Sequence, residues 1–114
     1  MSEIKFNEED IERAIIAATE ILENDILFLL RESKSIQACY LLEKIVTSLT
    51  VCQSEMEQHV GKTTIAEFLI EWKFQLELLS QKMTEMKDSD IIYEVEILMA
   101  TCRKNIEPET LFVV

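Results

Sequence analysis

The sequence predicts an all-α protein: an antiparallel up-down-up-down four-helix bundle with a shorter fourth helix and an apolar C-terminal tail. Apolar residues recur at steps of three and four, the period of an amphipathic helix. The chain has only one Gly and one Pro, which leaves few turn residues for β-hairpins. Its 114 residues, 48% of them hydrophobic, fit a single domain with one core. We expect that domain to cover 1–114, with helices at about 8–31, 36–58, 65–86 and 90–104 and a tail at 105–114.

Helix 1 is predicted to begin at Asn7, a good N-cap residue, with Asp10 at the third helical position. Phe6 and Ile11 have the spacing of a hydrophobic staple, which supports the same start. The predicted core stripe, interrupted by Asp25, is Ile11, Ile15, Ala18, Leu22 and Leu29. The run from Ile26 to Leu30 is wholly apolar, so we expect it either to be buried on all sides or to contact another chain.

Helix 2 follows a short polar link, in which Ser33 or Ser35 is the expected cap. Its apolar residues again follow four-three steps and are Ala38, Leu42, Ile45, Leu49, Cys52 and Met56. The helix is expected to end near His59 to Gly61, with Gly61 in the place of a left-handed terminating residue. Because the link between the helices is short, helices 1 and 2 should be antiparallel neighbours.

Helix 3 is expected to be the central element. Thr64 and Glu67 have capping-box spacing at its start. One stripe, which must be buried, consists of Ile65, Leu69, Trp72, Leu76, Leu79, Met83 and Met86. A second apolar line, formed by Phe68, Ile70, Phe74 and Leu78, indicates that the helix meets two neighbours or lies centrally.

Helix 4 is expected to begin at Asp88 or Ser89 and to end near Asn105, before Pro108. Its predicted stripe is Ile91, Val95, Leu98 and Cys102. A helix of about 14 residues would be roughly 21 Å long, against roughly 33 to 38 Å for the others. One end of the bundle would then be uncovered, namely the end containing Ile11, Ile15, Cys52, Met56, Ile65 and Phe68. The apolar segment Leu111 to Val114 could fold back over that end, dock on a second subunit, or serve as a ligand for another protein.

The charge of the chain argues against several classes of partner. It has 22 acidic and 11 basic side chains, a formal net charge of −11, and no basic patch in the sequence. Such a field repels phosphate backbones and anionic lipid, so we expect neither direct nucleic-acid binding nor membrane binding. The cysteines Cys39, Cys52 and Cys102 have neither disulfide-framework nor zinc-site spacing. With no signal-peptide pattern, a cytoplasmic protein is the simplest expectation.

Motifs that carry chemistry are weak in this sequence. Gly61-Lys62-Thr63-Thr64 resembles the end of a phosphate-binding loop, but the earlier glycine of that motif falls at Met56 and no strand precedes it. The single histidine, His59, cannot supply the paired Glu-x-x-His ligands of a two-metal site. It also leaves no evident base for a nucleophilic Ser or Cys. We therefore expect no enzyme activity, no metal and no cofactor.

The expected function is a non-catalytic protein-protein interaction module, such as an adaptor, a chaperone-like protein or a complex subunit. It would bind a partner helix, or a second copy of itself, through apolar surface. The alternative is an acidic inhibitor or decoy that occupies a basic, nucleic-acid-binding surface of its target. The candidate partner-binding residues are Ile26, Leu27, Leu30, Met56, Phe68, Phe74, Phe112 and Val114.

Overall fold

Helices supply the regular secondary structure of the chain. The computed structural model describes residues 6–106. Helix α1 is continuous and comprises Glu8–Ile21, a π-helical turn at Leu22–Ile26 and a final segment at Leu27–Arg31. It is followed by α2 (Ser35–His59), α3 (Thr64–Lys82) and α4 (Asp88–Ile106), with no strand anywhere between residues 6 and 106. The predicted all-α class and the number of helices are confirmed.

Helix α1 begins at the predicted N-cap, Asn7, which forms a capping box with Asp10. The side chain of Asn7 accepts a hydrogen bond from the backbone N–H of Asp10 at 3.2 Å, and the Asp10 carboxylate accepts from the Asn7 N–H at 2.8 Å. Two N–H groups that the helix itself cannot satisfy are thus paired. Glu8, Glu9 and Asp10 in the first turn also complement the positive end of the helix dipole.

The π-helical turn changes which residues of α1 face the core. Before it, Ile11, Ile15, Ala18 and Leu22 are buried at four-three-four steps. After it, the buried residues are Ile26, Leu27 and Leu30, whereas the predicted core residue Leu29 is only half-buried. A π turn accommodates one extra residue, so the stripe moves on by one position and Asp25 lies exposed.

The link between α1 and α2 differs from the prediction. Ser33, with φ of 59°, adopts the left-handed conformation and ends α1. Its N–H donates to the carbonyl of Leu30 at 3.1 Å, and the Lys34 N–H donates to that of Leu29 at 2.8 Å. These two bonds make a Schellman motif. The N-cap of α2 is Lys34, which makes no side-chain capping bond, so neither Ser33 nor Ser35 has the predicted capping role.

The link between α2 and α3 also departs from the sequence-based expectation in two details. Gly61 has no positive φ, because α2 already ends at His59 and Val60 is extended. The cap of α3 is Thr63 rather than Thr64, and its hydroxyl accepts from the Ala66 N–H at 3.2 Å. With two adjacent threonines, either could cap. Capping by Thr63 places Ala66 at the third helical position, so Glu67 is not part of a capping box.

Helix α4 is not shorter than α3, since each has 19 residues. Helix α3 ends at Lys82 and continues as a turn through Met86, with the N–H groups of Glu85 and Met86 bonded to the Lys82 carbonyl. At the other end, α4 runs through Asn105, whose side-chain amide donates to the Thr101 carbonyl at 2.8 Å. The predicted length difference between α3 and α4 is therefore absent, although α4 is still shorter than α2, which has 25 residues.

One apolar core joins all four helices. Helix α1 contacts each of the other three, while α3 contacts α2 and α4 on either side. Trp72, 2% exposed, crosses from α3 and donates its indole N–H to the Leu98 carbonyl of α4 at 3.0 Å. The predicted α3 stripe is largely confirmed, because its buried members are Leu69, Trp72, Leu76, Leu79 and Met83. Ile65 and Met86, at its ends, are half-buried.

The buried polar residue Thr19 connects α1 with α4. Its Oγ1 lies 2.9 Å from the Ile15 carbonyl oxygen and 3.0 Å from the Sγ of Cys102. The hydroxyl has a single hydrogen, so it can donate to Ile15 while accepting from the thiol. Around this contact, the guanidinium of Arg103 is paired with Glu23.

Candidate interaction surface

Half of the residues predicted to contact a partner are part of the core. The exposed fraction is at most 4% for each of these core residues, which are Ile26, Leu27, Leu30 and Met56. The apolar run of α1 is not buried on all sides, however, because Phe28 is 55% exposed and Leu29 is half-buried. The π turn explains the burial of Ile26, Leu27 and Leu30, because it rotates them into the core. The assignment of these four residues to an accessible surface is corrected.

The remaining predicted contact residues lie in different places. Phe68 is half-buried and stacks on Trp72, with ring centroids 6.2 Å apart. Phe74 is 49% exposed on the outer face of α3, one turn from Ile70, which is 41% exposed. Phe112 and Val114 lie outside the described residues. Of the eight predicted residues, only Phe74 is thus classed as exposed within residues 6–106.

The end of the molecule that we expected to be open is closed. Ile11 and Ile15 are fully buried, and Cys52 and Met56 are 8% and 3% exposed. Phe6, Val60, Ile65 and Phe68 are partly buried and pack against the same core. This end therefore offers no large apolar opening.

An open apolar groove lies instead between α1 and α2. It has a volume of about 300 Å³, at the lower end of the range of ligand pockets. Helix α1 contributes Ala14, Ala17, Ala18 and Ile21, and α2 contributes Leu41, Lys44, Ile45, Ser48 and Leu49. We call this the α1–α2 groove. Because its α1 wall consists mainly of alanines, no long side chain from that helix fills the space.

The length of the groove follows from the helical rise. Residues 14 to 21 span about 10 Å and residues 41 to 49 about 12 Å at about 1.5 Å per residue. That is about two helical turns. Ala17, Lys44 and Ser48 are exposed, and Ala14, Ile21 and Leu41 are half-buried, so the surface facing the groove is accessible.

The polar residues of the α1–α2 groove lie at its rim on α2. Among residues 6–106, neither the side chain of Lys44 nor that of Ser48 has a hydrogen-bond or ion-pair partner. The ammonium group of Lys44 is therefore available to an incoming carboxylate in a chain whose net charge is −11. The rest of the lining is aliphatic, so the groove suits an apolar segment with few polar groups.

Sequence patterns identified only some of the residues that line this groove. Ala18 was placed on the α1 core stripe, and Ile45 and Leu49 on that of α2. Ala14, Ala17 and Ile21 were missed. Together with Ala18 they have the spacing i, i+3, i+4, i+7 of a second apolar face beside the first. That spacing was the available signal.

Burial and nearby carboxylates raise the pKa of two of the three thiols. Burial raises the pKa of the Cys39 thiol, and the Glu43 carboxylate, 3.8 Å from its Sγ, raises it further. Burial, followed by the Asp10 carboxylate, raises the pKa of Cys52. Both shifts disfavour the reactive thiolate. His59 lies at the end of α2, where its Nε2 is 3.5 Å from a carboxylate oxygen of Glu55.

Metal and membrane sites are also not seen in the part of the chain that the structure describes. Within residues 6–106, no three His, Cys, Asp or Glu side chains are grouped closely enough to ligate a metal ion. None of the helices in this range combines the length and the apolar character needed to cross a bilayer.

Neither protein-family models, nor curated protein sequences, nor solved structures gave a significant match.

Proposed function

We propose that this protein is a non-catalytic interaction module that binds an amphipathic helix of a partner in the α1–α2 groove. Adaptors, chaperone-like proteins and complex subunits bind partners in this way. The observation that carries the proposal is the accessible aliphatic groove of about 300 Å³. Apolar surface rimmed by polar residues is typical of protein interaction sites.

The dimensions of the groove fit a helix better than a globular surface. A length of about 10 to 12 Å accepts side chains from about two turns, at positions i, i+3 or i+4, and i+7 of the partner. Alanines on α1 let the partner backbone approach closely. Lys44 would pair with a carboxylate at the edge of the partner helix, which sets its direction more than its affinity.

The arrangement of helices in the proposal is an up-down-up-down antiparallel bundle, in which α1 and α2 are neighbours. Contacts between α1 and α4 join Glu23 to Arg103 and Arg31 to Glu96, so the two residue numbers change in opposite directions. Between α2 and α3, Thr50 accepts from Lys73, and Cys39 lies beside the Ser80 carbonyl. These contacts support antiparallel pairs.

The first test compares a blocked groove with a matched control. Ala17→Arg places a long charged side chain in the groove, while Ala100→Arg makes the same change on the exposed face of α4. With a photo-crosslinking residue at Leu41, the native chain and the Ala100→Arg variant should crosslink to one cellular protein, identified by mass spectrometry. Ala17→Arg should lose that product. Equal crosslinking by both variants would contradict the proposal.

The salt dependence of the complex distinguishes groove binding from the alternative, an acidic decoy that binds through its charge. Raising the ionic strength from about 0.1 M to about 1 M shortens the Debye length from about 10 Å to about 3 Å. A complex held by the aliphatic groove should survive that change, whereas a complex held by the charge of −11 should dissociate. A second copy of the chain as the partner would appear as a dimer in sedimentation measurements on the purified protein.

A further inference from the structure

Helix α4 carries a second apolar stripe on the side that faces away from the core. Tyr93 is 63% exposed, Ile97 is 40% exposed, and Ala100 is exposed three residues further on. Asp90 and Lys104 are exposed at the two ends of the same stripe. We call these five residues the α4 seam. Their alternating spacing of three and four residues is that of the contact face of a coiled-coil helix.

The α4 seam is a continuous surface. Asp90, Ile97 and Lys104 are seven residues apart, so each lies within about 20° of the next around the helix axis. At about 100° per residue, Tyr93 and Ala100 lie about 40° and about 60° to one side of that line. From Asp90 to Lys104 the rise is about 21 Å, or about four turns. The seam is therefore apolar in its middle and charged at both ends.

The two ends of the α4 seam have opposite charges. In α4, every acidic side chain precedes Ile97 and every basic one follows it. Glu96 and Arg103 form ion pairs with α1. The side chains of Asp90 and Lys104, by contrast, have no hydrogen-bond or ion-pair partner among residues 6–106. A matching surface would place a base against Asp90 and an acid against Lys104.

We propose that the α4 seam binds the same seam of a second copy of the chain, with the two α4 helices antiparallel about a twofold axis at Ile97. Each contact then occurs twice, as in any isologous dimer. Asp90 of one copy lies opposite Lys104 of the other, and Tyr93 lies opposite Ala100, whose small side chain leaves room for the ring. Ile97 packs against Ile97 at the axis. A parallel pair would put like charges together at both ends, so charge selects the antiparallel orientation.

The α4 dimer goes beyond the function proposed above and leaves the α1–α2 groove open, because α1 and α2 form that groove. A seam about 21 Å long makes a small interface, so the dimer should be weak. The net charge of −11 on each copy also opposes association. At about 0.15 M salt the Debye length is about 8 Å, which screens distant charges more than charges in contact.

The test is sedimentation equilibrium of the full chain at up to about 1 mM protein and about 0.15 M salt. The native chain should form a reversible dimer. Asp90→Lys turns two attractions into two repulsions, so the dissociation constant should rise about tenfold. Combining it with Lys104→Asp restores both pairs in reverse and should bring the constant back to within about threefold of the native value. Circular dichroism checks that each variant is folded.

Net charge alone predicts a different result. Asp90→Lys makes the chain less negative, so an association limited only by overall repulsion would become stronger in this variant. Ile97→Glu places two like charges at the twofold axis and should abolish the dimer.

The two variants that test the α1–α2 groove have the reverse roles here. Ala17→Arg should leave the α4 dimer unchanged. Ala100→Arg should weaken it, because the new side chain faces Tyr93 of the other copy, while crosslinking from Leu41 in the groove continues. Either site can therefore fail without the other.

Three results would overturn the inference. One is a native chain that stays monomeric at every concentration. Another is a combined charge exchange at Asp90 and Lys104 that binds no better than the single variants. The third is a dimer that Ala17→Arg abolishes and Ile97→Glu does not, which would place the second copy in the α1–α2 groove.

Discussion

The π turn in α1 leads to a test by deletion. Deleting a residue from the middle of a helix normally turns everything beyond it by about 100° and moves core side chains to the surface. Here the turn at Leu22–Ile26 holds one residue more than a regular helix needs. Deleting the exposed Asn24 should therefore convert the π turn to ordinary α-helix and leave the core register unchanged.

The magnitude follows from the buried positions. At about 100° per residue, the centre of Ile26, Leu27 and Leu30 would lie about 100° from that of Ile11, Ile15, Ala18 and Leu22 in an uninterrupted helix. With one residue removed, the two centres coincide to within about 10°. The deletion then loses no buried side chain, and we expect it to change the free energy of unfolding by less than about 2 kcal/mol.

The control is deletion of Thr47, an exposed residue in the regular part of α2. It would turn Leu49, Cys52 and Met56 away from the core. Losing a single buried Leu or Met side chain costs about 2 to 5 kcal/mol of stability. The free energy of unfolding of the whole domain is expected to be about 5 to 15 kcal/mol. Urea denaturation followed by circular dichroism should therefore show a folded Asn24 deletion and an unfolded Thr47 deletion. Equal losses of unfolding free energy in the two deletion variants would refute the argument that the π turn holds one extra residue.

Three further outcomes are expected. Ser33→Gly should stabilise the protein by about 1 kcal/mol because it relieves the φ of 59°, while Ser54→Gly inside α2 should destabilise it by about 0.5 kcal/mol. A melting temperature that Ser33→Gly lowers as Ser54→Gly does would contradict the Schellman motif. Leu76→Ala, at a site 0% exposed, should cost about 2 to 5 kcal/mol, and the half-buried Leu78→Ala less; a Leu76 loss below about 0.5 kcal/mol would rule out its central position. Glu43→Gln should lower the pKa of the Cys39 thiol, because the Glu43 carboxylate raises it. Cys39 in this variant should therefore react with iodoacetamide at neutral pH faster than Cys39 in a Glu71→Gln control. An unchanged rate would exclude Glu43 as a cause of the raised pKa.

Local pattern was sufficient to predict the helices and most of the core. A cap such as Asn7 depends on residues three positions away, and the stripe from Leu69 to Met83 depends on the helical period, so both can be read from the sequence. The choice between Thr63 and Thr64 could not be made, because adjacent residues of one type satisfy the same rule. The left-handed conformation of Ser33 was not predicted, because serine is a common N-cap residue and rarely adopts a positive φ.

The π turn had a visible signal that the regular period concealed. A continuous α-helix puts Asp25 and Leu29 on the stripe of Leu22, and a charged residue at a core position contradicts that register. Shifting the stripe by one residue replaces Asp25 with Ile26 and Leu29 with Leu30. The register shift therefore accounts for the burial of Ile26, Leu27 and Leu30, whereas Phe28 of the same apolar run stays exposed. A polar residue that interrupts a stripe is a reason to test a one-residue shift.

The groove depends on information that no single helix carries. Ala14, Ala17 and Ala18 are ordinary helix formers, and nothing in their spacing tells whether the facing helix packs against them or stands off. In the structure Leu41 and Ile45 approach α1 without filling the space beside the alanines. Alanines that are packed against a neighbour bring helices close together, but the same alanines beside an open gap line a groove. Only the spacing of α1 and α2 decides between the two.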